Sequence, residues 1–215
     1  MDKRKMFGMC LLVIGMGVAV QATPVSVAPN VTADMYQTFW YWSGTKGIVS
    51  SSGAIMSGYD GINQLWWRYL AEWDTGTFPA PGTYTTVTLT GFQGMVGDAI
   101  AANLANVPVD GTPSWDDDWA STPSQDYGTV ISQNAQNGTF SVDVTNAILA
   151  DVANSRSFSG FRFSAPGEVY RYNGDEPLPS DTSCRSLSGL QLVFTPEPAT
   201  LGLLGLGLLG FLRRR

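Results

Sequence analysis

The stretch Gln64-Leu65-Trp66-Trp67-Arg68-Tyr69-Leu70-Ala71-Glu72-Trp73 decides the fold class. Successive side chains of a strand point to opposite faces, so Leu65, Trp67, Tyr69, Ala71 and Trp73 share one face, and Trp66, Arg68, Leu70 and Glu72 share the other. The odd-numbered face reads as the core. Downstream, Val87 and Leu89 alternate with Thr86, Thr88 and Thr90, the pattern of a strand wet on one side, and Phe92 continues the chain over the core edge. Strands are expected at 38–42, 64–73, 83–91, 127–132, 139–144, 160–164 and 187–194, divided by Gly, Pro, Asn and Asp clusters. Heptad-like periodicity is nearly absent, which makes the chain all-β and antiparallel. One segment breaks the pattern: Val144, Ile148 and Val152 recur at four-residue spacing and predict a short helix over Ala147 to Ala153. Asp143 or Thr145 is placed to accept hydrogen bonds from its first free amides. Asn137-Gly138 reads as a tight turn between Val130 and Phe140, and Asp74-Thr75-Gly76 as another turn.

Both ends of the chain differ from this middle. Lys3-Arg4-Lys5, the apolar Met6 to Val20 and the small-residue site Val20-Gln21-Ala22 form the three regions of a secretory signal peptide, residues 1–22. At the other end Pro196-Glu197-Pro198 precedes a run from Leu201 to Leu212 made only of Leu, Gly and Phe, closed by Arg213-Arg214-Arg215. The arginines suit a cytoplasmic position beside a membrane segment. The glycines between Gly202 and Gly210 disfavour a soluble helix by about 1 kcal/mol each. About a dozen residues span roughly 20 Å, less than the roughly 30 Å hydrocarbon core, so the segment is a marginal, temporary anchor.

With the two ends removed, residues 23–195 form one domain of about 170 residues, long enough to bury a core without cross-links. Six of the twelve basic residues and two of the eighteen acids lie in the ends, leaving six against sixteen, a net charge of −10. That charge repels phosphate backbones and excludes nucleic-acid binding, while it favours solubility and cations. Cys184 is the only cysteine of the domain, which rules out an internal disulfide. It reads as a buried small hydrophobe in preference to a thiol pairing between chains.

The sequence contains no histidine, which removes Ser-His-Asp, Cys-His and His-metal chemistry. A carboxylate pair for glycoside hydrolysis has no sequence signature, and Glu72, Glu168 and Glu176 are nominal candidates only. The expectation is a protein without enzymatic activity.

The most suggestive internal stretch is Trp115-Asp116-Asp117-Asp118-Trp119, in a loop begun by Asp110-Gly111-Thr112-Pro113. Carboxylates with nearby carbonyls supply hard oxygen ligands suited to Ca²⁺, at Asp116, Asp117 and Asp118, and flat indoles stack on sugar rings, at Trp115 and Trp119. The competing reading is a solvated acidic loop whose tryptophans fold back on the domain, favoured because no EF-hand spacing is present. Phe39-Trp40-Tyr41-Trp42 and Trp66-Trp67 also concentrate aromatics. Alternation turns at least one ring of each cluster away from the core, which leaves Trp40, Trp42 and Trp66 open as glycan contacts and favours burial of Trp67 and Trp73.

Two resemblances follow from these residues. The tail, with Pro196-Glu197-Pro198, apolar run and Arg213 to Arg215 in order, resembles the PEP-CTERM sorting signal of bacterial surface proteins. The resemblance implies recognition and cutting by a membrane exosortase, a stay at the membrane during sorting, then residence at the cell surface or outside it in association with exopolysaccharide. The middle, with Trp67 to Asp74, Gly82 to Thr90, Ser141-Val142-Asp143-Val144-Thr145 and Gly160-Phe161-Arg162-Phe163, resembles DNRLRE-type modules. That implies an antiparallel jelly-roll-like β-sandwich with one short helix, similar to carbohydrate-binding modules.

Overall fold

The computed structural model describes residues 23–40, 43–50, 53–59, 64–97, 100–115, 121–166 and 183–197. Eleven strands and one helix lie among them: β1 Val25–Val27, β2 Val31–Trp40, β3 Ser43–Ser50, β4 Ala54–Tyr59, β5 Gln64–Asp74, β6 Tyr84–Gly97, β7 Ala102–Val107, β8 Gln125–Ile131, β9 Gly138–Asp143, α1 Thr145–Ala153, β10 Phe158–Ser164 and β11 Ser183–Pro196. The proposed signal peptide, residues 1–22, lies outside the described residues.

The fold is an antiparallel β-sandwich, and β5 is its hinge line. One edge of β5 is taken by β2, from Val31↔Glu72 to Phe39↔Gln64. The other edge is shared: β4 pairs with residues 64–67 and β10 with residues 69–74. From Arg68 the hydrogen-bonded network therefore forks. One branch runs β10-β7-β8 and the other β4-β11-β6-β9. The two branches face each other across one core, in which Trp73, Phe161, Phe163 and Leu104 meet Val87, Leu89, Phe140, Leu192 and Phe194. Phe140 and Phe163 close the gap edge to face, with ring centroids 5.8 Å apart.

The odd-numbered face of β5 is in the core as its alternation predicts, with Tyr69, Ala71 and Trp73 buried and Trp67 half-buried. The even face is not wet, however. Leu70 is fully buried with Met35 and Val107 in a second, smaller apolar cluster, and Glu72 is fully buried too. β6 follows its alternation: Val87 and Leu89 are buried, and Thr86, Thr88 and Thr90 lie half-exposed on the outer face. Phe92 belongs to that outer face, 48% exposed, and does not turn over the core edge.

The helix begins two residues before its predicted start. Its buried face is Val144, Ala147, Ile148 and Asp151, with Val152 only half-buried. The cap position falls on Val144, which makes no side-chain cap bond. Asp143 Oδ1 accepts from the Thr145 amide at 2.9 Å in the turn that leads into the helix, and the Thr145 hydroxyl is turned to β6, where it accepts from the Val87 amide at 2.8 Å. Asp74 Oδ1 accepts from the Gly76 amide at 2.8 Å and closes the expected turn as a 3-10 turn over Thr75–Thr77. Asn137-Gly138 leads between layers, because β8 pairs with β7 and β9 with β6.

Candidate functional site

The described parts of the connection from β7 to β8, residues 108–115 and 121–124, form an arched loop on the outer face of β5 and β10. Its first anchor is the buried Glu72 carboxylate, whose Oε2 accepts from the Gly111 amide at 2.9 Å. Gly111 has φ +91°, and a Cβ there would lie 2.5 Å from Phe158 Cζ, so only glycine fits between the ring and the carboxylate. Asp110 Oδ1 accepts from the Thr112 amide at 2.9 Å and sharpens the same bend. Gly160 gives Val109 room to lie on β10, since a Cβ at 160 would meet Val109 Cγ1 at 2.5 Å. The second anchor is Arg162, 8% exposed, which donates from Nη1 to the Ser121 carbonyl at 3.3 Å.

Between these anchors Trp115 is half-buried and packs on Met35, Leu70 and Val107. Its indole serves as a cover for the outer cluster. Asp116, Asp117, Asp118 and Trp119 lie outside the described residues, as do Trp42, Glu168 and Glu176. Trp40 is in β2, opposite Ser43, and Trp66 is in β5, opposite Gln37, but their side chains are outside what the structure describes. Among the described residues no group of three or more His, Cys, Asp or Glu side chains is placed to hold a metal ion.

Two buried polar clusters had no signal in the sequence. Asp151, 1% exposed, accepts from Asn106 Nδ2 at 3.0 Å, Ser159 Oγ at 2.6 Å and Arg156 Nη1 at 2.7 Å, and so ties the end of α1 to β7 and β10. Arg185, fully buried on β11, donates to the carbonyls of Ile100, Ser132, Gln133 and Ala135 and to the Gln93 side chain. Burial lowers its pKa, and the carbonyls replace the water its charge has lost. Both clusters saturate their charged group with internal partners, which suits bracing. Tyr127 is pushed up to about 12, by burial first and then by Asp143 and Asp151. Cys184 is a half-buried free thiol, less enclosed than the sequence suggests, its pKa raised by burial and then by Asp34.

The outer face of β9-β6-β11 is different. Phe92 stands opposite Thr139 and Ser188, Thr90 opposite Ser141 and Gln191, and Thr88 opposite Asp143 and Val193. Partners across a ladder share a face, so these side chains form a layer of hydroxyls, the Gln191 amide, the Asp143 carboxylate and Val193 around the exposed Phe92 ring.

At the end of β11 the fold runs into the tail. Pro196 pairs with Tyr84, and the Glu197 amide donates to the Thr83 carbonyl at 3.1 Å. The folded region therefore extends past residue 195. Pro198, the apolar run and Arg213, Arg214 and Arg215 lie outside the described residues, and no helix among those described is long and apolar enough to cross a membrane.

Residues 194–215 match the model of the PEP-CTERM protein-sorting motif. The chain thus carries the tail of a protein that is exported, held at the membrane while exosortase sorts it, and delivered to the surface or beyond. No curated protein matches the sequence.

Proposed function

We propose that the chain is a non-enzymatic protein of the cell surface or extracellular matrix that associates with exopolysaccharide once its tail has been sorted. The observation that carries this reading is the junction of a sorting motif with a sandwich whose outer β9-β6-β11 face offers hydroxyls, an amide and the Phe92 ring. Neutral sugars present hydroxyls and apolar ring faces, and such a surface meets both, with the exposed Asp143 carboxylate beside Thr88 as a further acceptor. Residues 1–22 act as the export signal in this reading. The run of β9 through Asp143 into α1 supports the likeness to DNRLRE-type modules and their jelly-roll relatives. The lack of histidine and the use of Glu72 to anchor a loop support the absence of catalysis.

The test is binding of the segment Thr23–Glu197 to acidic and neutral polysaccharides, with Ca²⁺ and with chelator. Saturable binding that weakens at least fivefold in Phe92→Ala supports the outer face. Loss in Trp115→Ala with Phe92→Ala unaffected moves the contact to the arched loop, and a chelator effect brings in Asp116, Asp117 and Asp118. Absence of binding to every glycan overturns the reading. It would favour a structural surface subunit, for which β3 provides the observation: among the described residues it pairs only with β2, and Ile48 on it is 38% exposed. An open edge of that kind accepts a strand from another copy.

A further inference from the structure

Phe194, Thr195 and Pro196 belong to β11 and to the sorting motif at once. Phe194 is 1% exposed, with its ring 5.1 Å from that of Phe78 and 5.0 Å from that of Tyr84. Thr195 pairs with Thr86, the register shifts, and Pro196 pairs with Tyr84. The Glu197 amide then reaches the carbonyl of Thr83, the last residue of a turn that Thr83 closes by donating from its amide and its hydroxyl to the Ala80 carbonyl, at 3.1 and 2.7 Å. The first two residues of Pro-Glu-Pro are thus held on the body of the domain.

A protease takes its substrate as an extended strand and pairs with its backbone, which requires the substrate to leave its own sheet. Here the distance left for that is short. Three residues separate Glu197 from Leu201, where the apolar run begins, and the four Cα steps between those two reach at most about 14 Å. The rung that ties the motif is also a weakened one, because Pro196 has no amide hydrogen to give and the register breaks beside it. Peeling would stop at Phe194, whose ring is locked between Phe78 and Tyr84. The opening is local and leaves the sandwich folded.

Resting on the sorting role of the tail, we propose that the turn at residues 80–83 docks the chain's own sorting motif, and that the sorting enzyme engages Pro196 and Glu197 only after they have peeled from Tyr84 and Thr83. Processing is then set by a rung of the fold as well as by the motif.

The test follows loss of the tail by pulse-chase and gel shift, with the full chain expressed in cells that hold the sorting enzyme. One variant inserts six Gly/Ser residues between Thr195 and Pro196, which frees the motif without changing it. A second, in a Cys184→Ser background, carries Thr86→Cys and Thr195→Cys, a facing pair whose disulfide pins the strand end; non-reducing electrophoresis reports how much of the chain is cross-linked. The expected result is processing at least threefold faster with the insertion and at least threefold slower in the cross-linked fraction than in the reduced one. An insertion that leaves the rate unchanged or lowers it overturns the proposal, whether or not the cross-link forms, and so does a cross-linked chain processed at the normal rate. Failure of the sorting role itself shows separately, as an unaltered chain that keeps its tail in the same cells.

Discussion

Strands β5 and β6 solve burial differently. β6 is buried on one face, with Val87 and Leu89 inward and Thr86, Thr88 and Thr90 outward. β5 is buried on both, because the arched loop lays Val109 and Trp115 over Leu70 while Trp73 and Tyr69 fill the core behind it. A strand with one wet face is stabilised by the opposing sheet alone. A strand covered twice depends on a loop, and the loop depends in turn on the buried Glu72 and Arg162 that hold its ends.

The inner side of β5 should be the costlier one to damage. Trp73 is fully buried, packs edge to face on Phe161 at 5.8 Å and donates from Nε1 to the Val27 carbonyl at 2.9 Å. Trp73→Ala should cost about 3–5 kcal/mol in urea unfolding, through lost contact and cavity together. Leu70→Ala, on the outer side, should cost about 2–3 kcal/mol, because a cluster roofed by a loop can settle into the space. Leu192→Ala, in the main core, serves as the reference. Equal losses for Leu70→Ala and Leu192→Ala would break the comparison and make the roofed cluster a second core of equal standing.

The outer face of β6 predicts a smaller effect. Thr88→Val keeps the shape and a β-branched side chain, so stability should move by less than about 0.5 kcal/mol in the same unfolding assay. A larger loss would mean that the hydroxyl array is a bonded layer, and the contrast with β5 would narrow.

These differences follow what sequence periodicity can carry. The phase of β6 was legible because each threonine meets water and each aliphatic meets the core. The phase of β5 was legible only by half, since nothing near Leu70 or Glu72 announces that residues 109–115 will cover them. β7 was missed although Ala102 and Leu104 alternate correctly; its Asn106 is buried and bonded to Asp151, which breaks the apolar pattern. β3 is built on Gly44, Lys46 and Gly47 and carries a poor strand signal. Arg185 stands in the polar run Ser183 to Ser188 and reads as a surface residue, yet it is buried by carbonyls supplied from two distant loops. The sorting tail was fully legible because its parts are contiguous. Its tie to Thr83 was not, since a backbone hydrogen bond between distant residues leaves no mark on side-chain choice.

The smallest effect concerns the hydrogen bonds that join the end of β9 to α1 and β6, and it separates charge from packing. Asp143 is exposed, and its carboxylate accepts from the hydroxyl of Thr145 at 2.6 Å and from its amide at 2.9 Å. Those two bonds, the hydroxyl first, hold its pKa below the ordinary carboxylate value of about 3.9. A depressed folded-state pKa stabilises the native state above the unfolded value, and the contribution is lost as pH falls through the folded value. Asp143→Asn should therefore lower Tm slightly at pH 6, and the gap to the unaltered protein should close as the pH falls below about 4. Thr145 lends this linkage a structural reach, because the same hydroxyl accepts from the Val87 amide on β6. A gap that stays constant with pH would assign the cost to geometry at the strand-to-helix turn and remove charge from the account of this face.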